Sequence, residues 1–339
     1  MDGFETAPVL RPQYSVLGTI SAVTGRLPTL KAVRTTSATM ASLSLATTYP
    51  TLIIGFAFRP TASLGTNGWN STTAGYRLLS VRDGTTDQLS FNQSVDGFWQ
   101  VRRGAGNGTV LQTATTQRPT IDAWQHFEVK VTIHNTTGSV VAKIDEQTIL
   151  NVTNVNTRNT ANAWANQLGL PITAYYDIDD FYVMDTTGGS LNDFIGDNII
   201  TAWRPSGNGA TNQFVGSDAD SVDNFELVDD NPPNSATYVQ SSTAGQRDLY
   251  TVSGAALAGA AVRAVNPIAI ASKTGPGARS GLHVVRSAIG TVSTSTYDSG
   301  LVDVARPVVP STGPLVLDPD GTTWTESSLG TTQFGIETV

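Results

Sequence analysis

Between residues 127 and 133 apolar and polar side chains alternate without a break. Phe127, Val129, Val131 and Ile133 fall on one face, and Glu128, Lys130 and Thr132 on the other. That period of two predicts a strand with one buried and one wet face. Asn135-Thr-Thr-Gly138 supplies a turn into Val140-Val-Ala-Lys-Ile144, and Asp145-Glu146-Gln147 leads into Thr148–Val152, so this stretch reads as consecutive hairpins. Upstream, Leu52–Phe58 is a short apolar run closed by Arg59-Pro60, which favours strand over helix. Tyr76–Val81, Gln88–Phe91 and Phe98–Val101 follow, separated by Asp83-Gly84 and Asp96-Gly97, a dipeptide typical of tight hairpins. Asp180–Met184 reads as a later strand.

Many short strands without a long helical pattern predict an all-β chain of sandwich or barrel type. At 339 residues the chain predicts two domains. Asp229-Asp-Asn-Pro-Pro-Asn234 interrupts any regular element. Beyond it the strand pattern resumes at Arg247–Val252, Ala261–Val265, Gly281–Arg286 and Gln333–Glu337. The expected organisation is an N-terminal arm over 1–40, a β-sandwich over 41–190, a connector over 191–231 and a second β-sandwich over 232–339. Within the connector, Asn192–Gly196 suggests a single helical turn and Ile199–Trp203 a strand. The first 40 residues, with Pro8, Pro12 and Pro28 and little periodicity, suit an extended anchor.

Charge narrows the partners. The chain carries a net charge of −8 and only 14% charged residues, against roughly 25% in an average soluble protein. Nucleic-acid affinity rests on clustered Lys and Arg, and Arg102-Arg103 is the densest basic spot, so no nucleic-acid partner is expected. No apolar run approaches the ~18 residues of a membrane span, and no membrane association is expected. Cysteine is absent, which removes disulfides and thiolate chemistry.

Candidate chemistry is sparse. No Gly-x-Ser-x-Gly elbow occurs, and Gly104–Gly108 lacks the Lys-Ser/Thr of a phosphate loop. Asp177 and Asp179 share a strand face about 7 Å apart; they are candidates for calcium, although a solvated strand start is the plainer reading. Asp218–Asp223 is rich in oxygen ligands but lacks the Gly and Glu of an EF-hand. His126 and His134 lie too far apart on one strand to share a metal, roughly 26 Å. These two and His283 are expected at the surface or at an edge. For a sugar, Trp69 in the Gly-, Asn- and Thr-rich loop 61–74 and Trp99 beside Arg102 are the aromatic candidates. Core packing is the commoner fate of such residues. The expectation is a non-enzymatic chain without a resident cofactor.

The block Trp124–Ile133, its hairpin and Asp179–Gly188 resemble concanavalin A-like, or laminin-G-like, jelly rolls, in which a Trp opens a central strand and paired acids open a late one. Asp145-Glu146 stands where Asp-Gly is common in that group, a difference of turn type. Asn192–Asp197, Arg204–Gly209, Pro232-Pro-Asn234, Tyr238–Ser242, Gly245–Tyr250, Trp324 and Gln333–Ile336 are similar, in that order, to a family of phage and prophage virion proteins. The likeness runs from about residue 45 to the end, and Asp2–Glu5, Tyr14 and Gly25-Arg26 resemble that family's N-terminal arm. It implies a structural component of a bacteriophage virion, made in the host cytoplasm. The tail or adsorption apparatus is its expected place, with copies of itself and other virion proteins as partners. The alternatives are a head-decoration protein and a module that binds a host-surface glycan.

Overall fold

The computed structural model describes residue 4 and residues 14–16, 20–27, 30–35, 41–61, 77–94, 96–116, 119–170 and 176–339. Chain contacts divide it into two compact units, Met1–Ile200 and Thr201–Val339.

The first unit contains β1 (Tyr14–Val16), β2 (Ile20–Thr24), β3 (Lys31–Thr35), β4 (Ala41–Tyr49), β5 (Thr51–Pro60), β6 (Arg77–Asp83) and β7 (Thr86–Gln93). There follow β8 (Trp99–Arg103), β9 (Thr109–Thr113), β10 (Gln125–Thr132), β11 (Gly138–Ile144), β12 (Gln147–Val155), β13 (Ala165–Leu170) and β14 (Tyr176–Met184). They form two seven-stranded sheets, ordered β1-β4-β13-β6-β7-β8-β9 and β12-β11-β10-β5-β14-β3-β2. All strand pairs in both sheets are antiparallel.

The alternating residues read from the sequence make the core. Phe127, Val129 and Val131 of β10 are buried with Phe56 and Phe58 of β5, Leu89 and Phe91 of β7, and Trp99 and Val101 of β8. Aromatic rings interlock there, Phe56 with Phe127 at 5.4 Å and Phe91 with Phe127 at 5.7 Å. Burying rings of this size supplies the main drive to close the two sheets. At the β11–β12 hairpin, Asp145 and Glu146 both adopt positive φ, 47° and 65°, so the pair forms the type I′ turn that Asp-Gly usually makes. The Asp145 carboxylate holds it by accepting the His126 N–H at 2.7 Å.

Two expectations change here. Residues 14–35, expected within an arm, contribute β1, β2 and β3 to the sheets, and Phe4 is buried in the same core. Short strands at a sheet edge need little internal periodicity, because their neighbours supply the pairing. The connector expected over 191–231 also dissolves. Its first part belongs to the first unit, and its middle is a ten-residue strand of the second unit. Neither the helical turn at 192–196 nor the strand at 199–203 forms as expected; regular structure resumes only at Trp203.

The second unit contains β15 (Trp203–Asn212), β16 (Val215–Gly216), β17 (Val239–Gln240), β18 (Arg247–Gly254) and β19 (Ala269–Ala271). It continues with β20 (Gly281–Arg286), β21 (Val292–Thr296), β22 (Arg306–Val308), the helix α1 (Glu326–Thr331) and β23 (Gln333–Thr338). Five strands make an antiparallel sheet ordered β15-β18-β23-β20-β21, while β16-β17 and β19-β22 form two-stranded ribbons. The C-terminal strand β23 lies between β18 and β20, so the end of the chain completes the sheet. The strand expected over 261–265 reduces to one bridge between Val265 and Leu315. Thr325 caps α1 by accepting the Ser328 N–H, and Ser328 returns the bond in a capping box.

Candidate functional site

A group of buried titratable side chains in the first unit lies on the outer face of the second sheet. Register builds it. Gly55 in the middle of β5 faces Glu128 of β10 on one side and Tyr182 of β14 on the other. A Cβ at residue 55 would sit 2.1 Å from Tyr182 Cζ. The missing side chain therefore lets the tyrosine ring cross the strand, the close approach for which a strand glycine is kept. The Tyr182 hydroxyl reaches Glu128 Oε1 at 2.9 Å, His126 Nε2 at 3.2 Å and the Gly196 carbonyl at 3.2 Å. With the phenol proton on the carboxylate side, His126 presents an Nε2–H to the phenol oxygen.

The segment after β14 lies over this row as a strap. Glu128 accepts the N–H groups of Ile195 at 2.8 Å and Gly196 at 3.2 Å. Lys130 pairs with Asp193 at 3.2 Å, and Lys143 stands 4.1 Å over the Phe194 ring. Ile200 N–H donates to Asp180 Oδ1 at 2.6 Å. Arg26 ties the strap from the other side, donating to Asp180 at 3.1 Å, Asp197 at 2.7 Å and the Asn198 carbonyl at 3.2 Å. A bulge between Asp179 and Tyr182, with Asp180 at φ 53°, turns Phe181 into the core and both acids outward.

Burial shifts these groups. His126 is lowered to about 4 chiefly by desolvation, with nearby Arg26 adding to the effect. Asp180 is raised to about 6, again chiefly by desolvation, against the Ile200 N–H and Arg26, which favour its charged form. Glu128 is also raised by burial, opposed by its bonds from Ile195, Tyr182 and Gly196. His126, Tyr182 and Glu128 form a chain along which a proton can pass, and each is only 1% exposed. As arranged, the row fastens the strap.

The residues singled out from sequence are placed as follows. Asp177 is fully buried and filled by two guanidiniums, Arg34 at 2.5 and 2.9 Å and Arg59 at 2.6 and 2.9 Å. Arg59 also stacks 4.9 Å from the Trp124 ring. Asp179 accepts the backbone N–H of Arg26 at 3.0 Å and of Asp180 at 2.8 Å. The solvated strand start read for Asp177 and Asp179 is thus corrected: both carboxylates are buried, and Asp177 is paired with two guanidiniums. Among the described residues no group of three or more His, Asp or Glu is placed to hold a metal.

Trp99 is 1% exposed and packs edge-on to Phe58 at 5.6 Å, so it is a core residue and no sugar platform. Trp69 lies outside the described residues. The expectation of surface histidines fails for His126 and His283. His283 is buried beside Tyr297, with ring centroids 4.9 Å apart, and burial lowers it to about 4. His134 remains partly exposed and accepts the Thr136 and Thr137 N–H groups at its Nδ1.

Sequence reasoning missed Arg26, Glu128 and Tyr182. The available signal was a glycine inside the apolar run 52–58 of β5, opposite a strand face bearing both His126 and Glu128.

No family model and no curated protein matches the chain. Solved structures do. Domain 4 of AbnA, a GH43 extracellular arabinanase from Geobacillus stearothermophilus, is 16% identical over 50% of this chain and 81% of its own, with a TM-score of 0.35. Alginate lyase Aly36B is 10% identical over 52% of this chain and 98% of its own, with a TM-score of 0.35. The exoplasmic/lumenal domain of VIP36, in its Ca2+/Man3GlcNAc-bound form, is 12% identical over 53% and 86%, with a TM-score of 0.35. The two antiparallel sheets closed over one core make the first unit a jelly-roll β-sandwich, as its strand pattern led one to expect. At these identities the likeness is one of fold alone. The expectation of a non-enzymatic chain is corrected: a domain of an arabinanase and an alginate lyase are among the solved structures found, and fold alone does not exclude catalysis.

Proposed function

We propose that the chain is a structural component of a bacteriophage particle, seated in the tail or adsorption apparatus and working through contacts with copies of itself and neighbouring virion proteins. The observation that carries this reading is the ordered resemblance of sequence blocks to phage virion proteins from about residue 45 to the C-terminus, across both units. The internal chemistry supports it. Acids of the first unit join segments far apart in the chain: Asp177 to Arg34 and Arg59, Asp180 and Asp197 to Arg26, Glu128 to the strap. Such ties hold a sandwich in one shape, which a repeating assembly contact requires.

Quantitative mass spectrometry of gradient-purified particles, with heads and tails separated, tests the reading. The chain is expected in the tail fraction at a fixed ratio to other tail proteins. Recovery only in the particle-free lysate overturns it.

A further inference from the structure

Charge in the second unit is divided between its two ribbons. Between Arg204 and Arg247 the chain has no Lys or Arg, yet Asp218, Asp220, Asp223, Glu226, Asp229 and Asp230 fall there. Between Asp248 and Asp298 it has no Asp or Glu, yet carries Arg263, Lys273, Arg279 and Arg286. The acidic stretch holds the β16–β17 ribbon, which follows β15 at one edge of the five-stranded sheet. The basic stretch runs through β19, whose ribbon with β22 adjoins β21 at the other edge. There Tyr297 bridges to Pro310, and the Ser311 N–H donates to the Thr296 carbonyl at 2.8 Å.

Each ribbon also exposes apolar side chains. At the first, the Gly216 N–H donates to the Asp220 carbonyl at 2.6 Å and the Ser217 N–H to the Tyr238 carbonyl at 2.8 Å. These bonds set the loop 218–223 beside Val215 and Tyr238. Val215, Val222 and Tyr238 are all exposed, Val222 at 66%. None of the six acids around them forms an ion pair among the described residues. At the second ribbon the Lys273 N–H donates to the Val302 carbonyl and the Leu301 N–H to the Arg279 carbonyl, both at 2.8 Å. Ile270, Val302 and Val304 are exposed there, Val304 at 70%. The cations beside them meet neutral acceptors alone. Lys273 donates to the Gly275 and Gly277 carbonyls at 3.3 and 2.6 Å, Arg279 to the Ala278 carbonyl at 3.0 Å, and Arg306 to the Gly300 carbonyl. Asp298, which accepts the Val309 N–H at 3.1 Å, and the exposed Asp303 are the acids nearby, so positive charge stays in excess.

We propose that copies of this chain associate head to tail through the second unit, the β16–β17 ribbon of one copy seated on the β19–β22 ribbon of the next. Exposed apolar groups with charge around them have the anatomy of an interface core and rim, and the opposite signs of the two ribbons fit one another. A two-fold contact would use one ribbon twice and bring like charges face to face. Because the two surfaces differ, each copy in a pair keeps a free ribbon, and association continues to a ring or a filament. The proposal rests on the assembly reading and names the surface through which copies meet. It is measured on the purified chain, so it can fail while the chain still enters particles.

The test is sedimentation velocity of the full chain at about 0.1 M and about 0.5 M salt, where the screening length falls from about 10 Å to a few ångströms. Species larger than a dimer are expected at the lower salt, with association about tenfold or more weaker at the higher. Glu226→Lys with Asp229→Lys reverses the acidic ribbon at two exposed carboxylates that hold no hydrogen bond among the described residues. Lys273→Glu with Arg279→Glu reverses the basic one. Each double variant should be monomeric alone, and an equimolar mixture should associate again, because each then offers the other the missing sign. Melting temperatures show that the variants fold, and the salt response of the unaltered chain needs no variant. A monomer throughout, a dimer that grows no further, association indifferent to salt, or a mixture of folded variants that stays monomeric would overturn the proposal.

Discussion

The two units solve the problem of a buried carboxylate in different ways. In the first, guanidiniums share the task with neutral donors: Asp177 is held by two arginines and Asp180 shares Arg26 with Asp197, while Glu128 and Asp179 take backbone N–H groups. In the second, Asp248 is fully buried and satisfied by neutral donors. It accepts the N–H groups of Gln213 at 2.5 Å and Phe214 at 2.7 Å, Asn224 Nδ2 at 2.7 Å and the Tyr250 hydroxyl at 3.0 Å. The carboxylate in turn holds the Tyr250 proton, adding to the rise that burial gives the phenol. The apolar cores differ in parallel. The first unit closes two sheets over a continuous aromatic and aliphatic interior, while the second clusters Val285, Trp324 and Leu329 with partly buried Trp203, Leu257 and Phe334. Where apolar burial is ample, charge pairs fasten peripheral segments. Where it is thin, one carboxylate organises the turn after β15, the region around Asn224 and β18 together.

The sharpest way to break this contrast is to remove one large group from each unit. Phe127→Ala should cost about 3–5 kcal/mol, since it empties the centre of a well-packed core. Calorimetry should show the loss in one of two transitions. Asp248→Ala should cost about 3 kcal/mol, because two peptide N–H groups and an amide lose their acceptor inside the protein. That loss should fall in the other transition. A single transition lowered equally by both substitutions would show that the units do not unfold independently.

A smaller effect sharpens the comparison through pH. His126 titrates near 6.5 when unfolded and near 4 when folded. The unfolded chain therefore takes up the proton first, and this group destabilises the fold progressively as pH falls from about 6.5 towards 4. Asp180, raised to about 6, acts in the opposite direction: its contribution is fully present below its unfolded value and is lost as pH rises through 6. His126→Gln should thus gain on the wild type as the solution is acidified from pH 7 to 4.5, as read by urea midpoints. A gap between the two proteins that stays constant over that range would contradict the burial of His126.

Much of the first sandwich was legible because its strands alternate cleanly. Phe127, Val129 and Val131 read as core and are core. The opposite face misled, since Glu128 and His126 occupy positions that alternation assigns to water. A strap that follows β14 covers them, and period two within one strand carries no information about a distant segment lying on top. The same limit hid β1 to β3, whose pairing partners define them better than their own residues do. Trp99 shows the converse: an aromatic residue beside Arg102 suggests a surface platform, yet the strand period puts Trp99 and Arg102 on opposite faces, the tryptophan inside.

Hydrogen exchange at the strap tests most directly the claim that the buried His126–Tyr182–Glu128 row fastens residues 193–200 to the sheet. The amides of Ile195, Gly196 and Ile200 should exchange as slowly as those of the central strands β5 and β10, and Glu128→Gln should speed the first two while leaving β5 protected. Rapid exchange of all three in the unaltered protein, at the rate of an exposed turn such as Gly188–Gly189, would contradict it.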